Sequence, residues 1–205
     1  IVGGALQLMV VSTLYTWLPS HLDRSYGLTP SVASSLTAAM ILAGLVGTIA
    51  FAYVADRAAA RDPRGRLRVP AALAVATAVL LATAFATLPP GPWQFALVVA
   101  GGLTATAAVG PVAAVATDVV RAGLRATAIG AVVVGRNLLG IAVGPLITGV
   151  LADLYGLPTA LAVMPAACGV AALAFWSGSR RYPADRAAVD PPAERGAGRR
   201  DAGGR

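Results

Sequence analysis

The chain has 205 residues, 57% of them hydrophobic and only 12% charged, with a formal net charge of +7 and a mean hydropathy of +0.74. Its apolar runs approach the ~20 residues that span bilayer hydrocarbon as a helix, which excludes a soluble domain and sets the class as a polytopic helical membrane protein. The positive residues occupy short loops and a tail with no aromatics interleaved, which excludes a nucleic-acid surface.

All sixteen positive residues are Arg and none is Lys, a pattern read as high-GC composition rather than as a binding requirement. The single Cys168 lies in an apolar run and reads as a packed thiol. Ile1 enters apolar sequence directly, with no initiator Met, basic leader or cleavage site before it, so the expectation is a fragment or a trimmed chain.

The first predicted span covers residues 1–19, with Gln7, Thr13, Tyr15 and Thr16 as polar content and Trp17 as an interface anchor. Thr29-Pro30 reads as a helix N-cap with Pro at the first helical position. Span two covers 32–55, with Ala39, Ala43 and Gly47 forming a smooth stripe for close helix approach. A loop over 56–68 then carries five Arg. Span three, 69–88, is nearly all Ala, Val and Leu and reads as lipid-facing. After the Pro-rich turn at 89–92, span four covers 93–117, with a kink expected at Gly110-Pro111.

Span five, 126–151, contains Arg136 followed by Asn137, with Gly140, Gly144 and Thr148 at every fourth position and Pro145 as a kink. Span six covers 158–176. Residues 177–205 hold seven Arg and four acidic residues with little bulky apolar content, the composition of a disordered tail. The loops after spans two and four and the tail carry five, two and seven Arg, whereas the other loops carry Arg24 alone. The Arg-rich side is therefore expected in the cytoplasm, with both chain ends there. Gly47 stands nine residues before Asp56 and Gly144 nine before Asp153. The two aspartates fall on opposite sides, as expected of two inverted three-helix repeats.

Asp56-Arg57 followed by Arg64-Gly65-Arg66 falls in the loop after span two. The chain here resembles one six-helix half, the C-terminal half, of a major facilitator superfamily transporter, whose signature in that loop is Gly-x-x-x-Asp-Arg-x-x-Gly-Arg. Ala52 stands at the first glycine position and the loop is longer by several residues. The longer loop, together with residues 137–153, is similar to the spinster-like branch. The resemblance covers 1–176 and implies an all-α fold of six transmembrane helices in a bacterial inner membrane, with a missing N-terminal six-helix half as partner. It implies that Asp56, Arg57, Gly65 and Arg66 form a gating element, with Asp118 as an ion-pair partner.

Arg136 is the leading candidate for holding solute. It lies eleven residues beyond Arg125, ~16 Å along a helix axis, where an Arg costs roughly 2.5–3.5 kcal/mol unless an interior partner or water-filled cavity receives it. A guanidinium facing a cavity grips an anionic group with two hydrogen bonds; the alternatives are snorkelling or a pairing that locks helices together. Asn137 points ~100° away from it and reads as an interhelical hydrogen bonder or a further solute contact. Gln7 and Tyr15 share a face of span one and either line the cavity or contact a helix.

No acidic residue sits in mid-span, so a proton-driven mechanism would need a carboxylate from elsewhere. No nucleotide-binding loop, metal cluster or nucleophile motif occurs in the sequence. The expectation is a secondary transporter for a small organic, anionic or amphipathic solute, neither an enzyme nor a cofactor carrier. A six-span scaffold without transport activity is the alternative.

Overall fold

The structure, a computed structural model, describes residues 1–106, 109–120 and 122–189. Its helices are α1 Val2–Tyr26, α2 Pro30–Arg61, α3 Gly65–Thr87, α4 Pro92–Ala105, α5 Val109–Asp118, α6 Arg125–Arg136, α7 Val143–Tyr155, α8 Leu157–Val163 and α9 Ala166–Val189. A π-helical segment, Asn137–Ala142, joins α6 to α7. In hydrocarbon every backbone group must be satisfied within the chain, so these apolar runs close their own hydrogen bonds as helices.

Among the described residues, five helical stretches are long and apolar enough to cross a membrane: Pro30–Arg61, Gly65–Thr87, Pro92–Asp118, Arg125–Tyr155 and Leu157–Val189. The remaining long helix, α1, has 25 residues and reaches ~37 Å, but Gln7, Ser12, Thr13, Tyr15 and Thr16 dilute its apolarity. Its position explains why this is tolerated. Gly3, Gly4, Ala5, Gln7, Val10, Val11, Thr13, Leu14 and Leu18 are all buried, so α1 runs through the interior, where polar groups find partners.

Ser12 Oγ donates to the Gly140 carbonyl at 3.2 Å and Thr13 pairs with Thr148 at 3.2 Å. Trp17 Nε1 donates to the Pro145 carbonyl at 3.1 Å, so the expected interface anchor is an interhelical bond. Proline cannot donate to the carbonyl four residues before it, and for Pro145 that residue is Ile141, inside the π-helical segment. The interruption expected of Pro145 in span five thus takes the form of a π-helical widening at Asn137–Ala142.

Two glycines occupy matching places. A Cβ on Gly47 of α2 would lie 2.8 Å from the Leu103 carbonyl oxygen of α4, and one on Gly144 of α7 would lie 2.5 Å from the Met9 carbonyl oxygen of α1. Span two thus meets span four as closely as span five meets span one, the exchange that an inverted repeat requires.

Three further expectations change. α3 is lipid-facing on one side only: Val75 and Val79 are exposed, while Ala74, Thr77, Leu81 and Ala84 are fully buried where it packs along both α9 and α4, because small side chains let backbones approach. The loop expected over 56–68 shrinks to 62–64, since α2 runs to Arg61 and α3 starts at Gly65; Ala and Arg are strong helix formers and continue the helix past the apolar run. The segment expected to be disordered from 177 is helical to Val189, while residues 190–205 lie outside the described ones. The kink expected at Gly110-Pro111 adjoins residues 107–108, which are also outside them.

Candidate functional site

The Arg-rich end carries a compact charge cluster. Asp62 closes the 62–64 turn by accepting from the Arg64 amide at 2.9 Å and from Arg68 at 3.0 Å, as Asp does in tight turns. A Cβ on Gly65 would lie 2.7 Å from the Ala58 carbonyl carbon, so only glycine lets α3 start against the last turns of α2. That places Arg66 to donate Nη1 to Asp118 Oδ2 at the end of α5 and to approach Asp56 Oδ1 of α2 at 3.4 Å. Of the residues expected to act as a gate, Asp56, Gly65, Arg66 and Asp118 therefore come together. Arg57 does not. It donates to Tyr53 Oη at 2.6 Å, over the same ring, one helical turn back on α2.

A residue absent from the sequence reading completes the cluster. Tyr182 of α9 donates its hydroxyl to the same Asp118 Oδ2 and is 3% exposed. Its flank, Arg-rich and poor in bulky apolar residues, carries no local sign of burial; only the packing of α9 on α3 creates it.

Arg136, the last residue of α6, is buried at 8% exposure. Its Cδ lies 3.2 Å from where a Cβ on Gly4 would stand, and Val112 of α5 borders the same spot, so the absence of a side chain at Gly4 admits the Arg stem beneath α1. Val112 also lines an apolar cavity of 650 Å³, which extends past Val115, Ala128 and Val132 to Leu67, Val119 and Gly178 at the Arg-rich end. Arg136 is not itself a wall of that cavity; Val112, which borders both the Gly4 position beside the Arg136 stem and the chamber, links the two.

The other candidate solute contacts are scattered. Gln7 is 1% exposed and turned toward α4, where Nε2 donates to the Thr104 carbonyl at 3.3 Å. Tyr15 is half-buried, its hydroxyl 2.7 Å from the Cβ position of Gly44 on α2. Asn137 is exposed; its backbone N–H closes onto the Val133 and Val134 carbonyls, and its side chain makes no interhelical hydrogen bond among the described residues.

The opposite end holds a second buried polar network that sequence reading missed. Gln94 Nε2 donates to the carbonyls of Ala84 at 3.0 Å and Leu88 at 3.1 Å, groups that the end of α3 leaves without helical partners. Its Oε1 lies 2.7 Å from Tyr26 Oη and 3.4 Å from His21 Nε2. The signal was a Gln just inside a helix that follows a proline-rich turn. Among the described residues no three His, Cys, Asp or Glu come close enough to hold a metal ion.

The sequence profile of the Major Facilitator Superfamily matches residues 1–201. This chain belongs to that superfamily. Two of the three residues of the charge cluster, Asp56 and Arg66, lie in the region that resembles the superfamily signature. Its fold is similar to a bacterial homologue of the human lysosomal transporter Spinster in an inward-facing, unoccupied conformation, with TM-score 0.80, 18% identity and coverage of 90% of this chain and 47% of that one. The same holds for such a homologue in an inward-facing, occupied conformation, with TM-score 0.79, 18% identity and coverage of 90% and 49%. This superfamily chain thus spans about half the length of those structures. No curated protein shows significant sequence similarity to it.

Proposed function

We propose that the chain is the C-terminal six-helix half of a secondary transporter that moves a small organic solute, anionic or amphipathic, by alternating access. The observation that carries this reading is Arg136, buried at 8% exposure next to Val112, a wall residue of the 650 Å³ apolar cavity. Arg136 holds the anionic group and the cavity takes the apolar body. Asp56, Gly65, Arg66 and Asp118 bias the two access states from the cytoplasmic side of a bacterial inner membrane, with both termini on that side.

Support for a partner half comes from the outer faces. The apolar windows of α2 and of Arg125–Tyr155 are only 22% and 17% buried, against 39–47% for the other three. Leu42, Val46 and Ile49 on α2, and Leu138, Leu146 and Val150 on the other stretch, are exposed and would face the N-terminal six helices. Asn137 lies on that face too, open to the path between the halves.

The test is Arg136→Ala in the native-length protein that contains this chain, assayed by uptake into membrane vesicles against a panel of amphipathic anions. Loss of transport at unchanged membrane expression is expected, with partial activity in Arg136→Lys, which keeps the charge but not the bidentate geometry. Full activity in Arg136→Ala would remove the proposed role.

A further inference from the structure

We propose that the last turns of α9 latch the Arg-rich end of the bundle, with Tyr182 as a positioning residue that holds Asp118 in place for Arg66. The proposal rests on reading the Asp118–Arg66 cluster as a gate, and adds the element that sets how readily that gate opens.

Three helices meet at one carboxylate oxygen. Asp118 is the last residue of α5, a helix of only ten residues, and its Oδ2 accepts from Arg66 Nη1 of α3 and from Tyr182 Oη of α9. Any movement of the end of α5 away from α3 must break both bonds together. With Tyr182 in place the carboxylate has one preferred orientation; without it, Asp118 is free to rotate away from Arg66.

The segment that delivers Tyr182 is itself anchored. Tyr182 packs in one apolar cluster with Leu67, Ala71, Ala172 and Phe175. One turn earlier, Ser179 is 1% exposed and donates to the Trp176 carbonyl at 2.7 Å, while the Arg68 guanidinium sits 5.9 Å over the Trp176 ring. α9 therefore stays packed on the start of α3 as far as Tyr182 rather than leaving the bundle at Trp176.

Two cavities flank the contact. On one side lies a polar cavity of 250 Å³ lined by Asp56, Ala59, Ala60, Pro63, Arg66 and Tyr182. Water entering there can hydrate Arg66 and Asp118 once they separate, so release does not strand bare charges in hydrocarbon. On the other side, Leu67, Val119 and Gly178 close the Arg-rich end of the large apolar cavity. Each is the neighbour of a latch residue or one turn from it, so the latch forms the lid of that chamber.

The test places a reporter cysteine at Val115, which lines the large cavity one turn inside Asp118, in the native-length protein with all other cysteines replaced, Cys168→Ala included. Inside-out vesicles are treated with a membrane-impermeant maleimide and the alkylation rate is measured. Tyr182→Phe keeps the ring and its packing but loses the hydroxyl. Loss of one hydrogen bond to a carboxylate is expected to raise the rate about tenfold, with Asp118→Asn at least as fast. A wild-type rate in Tyr182→Phe beside an accelerated Asp118→Asn would overturn the latch and leave the gate standing. Wild-type rates in both would overturn the gate as well. A lowered melting temperature in Tyr182→Phe at unchanged alkylation would mark Tyr182 as packing alone and equally overturn the latch.

Discussion

Gln94→Leu removes a side chain of similar volume that serves two helix ends at once. Its Nε2 is the donor for the buried Ala84 carbonyl at 3.0 Å and for the partly buried Leu88 carbonyl at 3.1 Å. A buried acceptor left without a donor costs about 1–3 kcal/mol, and the partly wet Leu88 carbonyl costs less. Tyr26 keeps the Gly91 carbonyl at 3.0 Å as an alternative acceptor, so its hydroxyl is not stranded. The gross cost is about 2–4 kcal/mol, part of it offset by the apolar side chain. Unfolding of the purified native-length protein by denaturing detergent, mixed micelles serving as the folded reference, measures this. Tyr26→Phe should cost about 0.5–1.5 kcal/mol, and the double variant should be less destabilised than the sum, since both residues belong to one network. A Gln94→Leu loss below about 0.5 kcal/mol, the range of surface substitutions, would refute the view that the network holds α1 to the α3–α4 turn.

At the α1–α7 crossing, Gly144→Val should destabilise by about 1–3 kcal/mol through overpacking, because even a Cβ there would stand 2.5 Å from the Met9 carbonyl oxygen; the same detergent titration reads it. Asp118→Asn and Asp56→Asn separate the two arms of the charge cluster. The Asp56 side chain is 65% exposed and 3.4 Å from Arg66, so its loss should change stability by no more than about 1 kcal/mol. Loss of the Asp118 carboxylate, 23% exposed and accepting from two partners, should cost about 1.5–3 kcal/mol. Equal effects of the two in thermal unfolding would contradict the geometry.

Several features were legible because they are properties of short stretches. Uninterrupted apolar runs must become helices wherever water is absent. The Asp56–Arg66 region was visible because charged residues are rare in this sequence, and Asp118 stood out as an acid at the end of a span facing an Arg-rich loop. The distance from Arg125 placed Arg136 deep along its helix, but not which helices bury it. The roles of Gln7, Trp17 and the Ala-rich α3 were not legible, because periodicity states which residues share a face but not which neighbour that face meets. α1 is interior and one face of α3 packs against α4 and α9, so polar groups on one and methyl groups on the other both serve helix contact.

The sequence by itself determined the class of molecule, its all-helical build, the uneven distribution of Arg and the superfamily signature in the 56–66 region. Each of these follows from composition or from neighbours within a few turns of helix. Only the tertiary structure decided that Tyr182, sixty-four positions beyond Asp118, shares its carboxylate with Arg66, that Gly4 makes room for Arg136, and that Gln94 caps the end of α3. The physical reason is the same in each case: a buried polar group must find a partner, and which partner it finds depends on the helices packed around it.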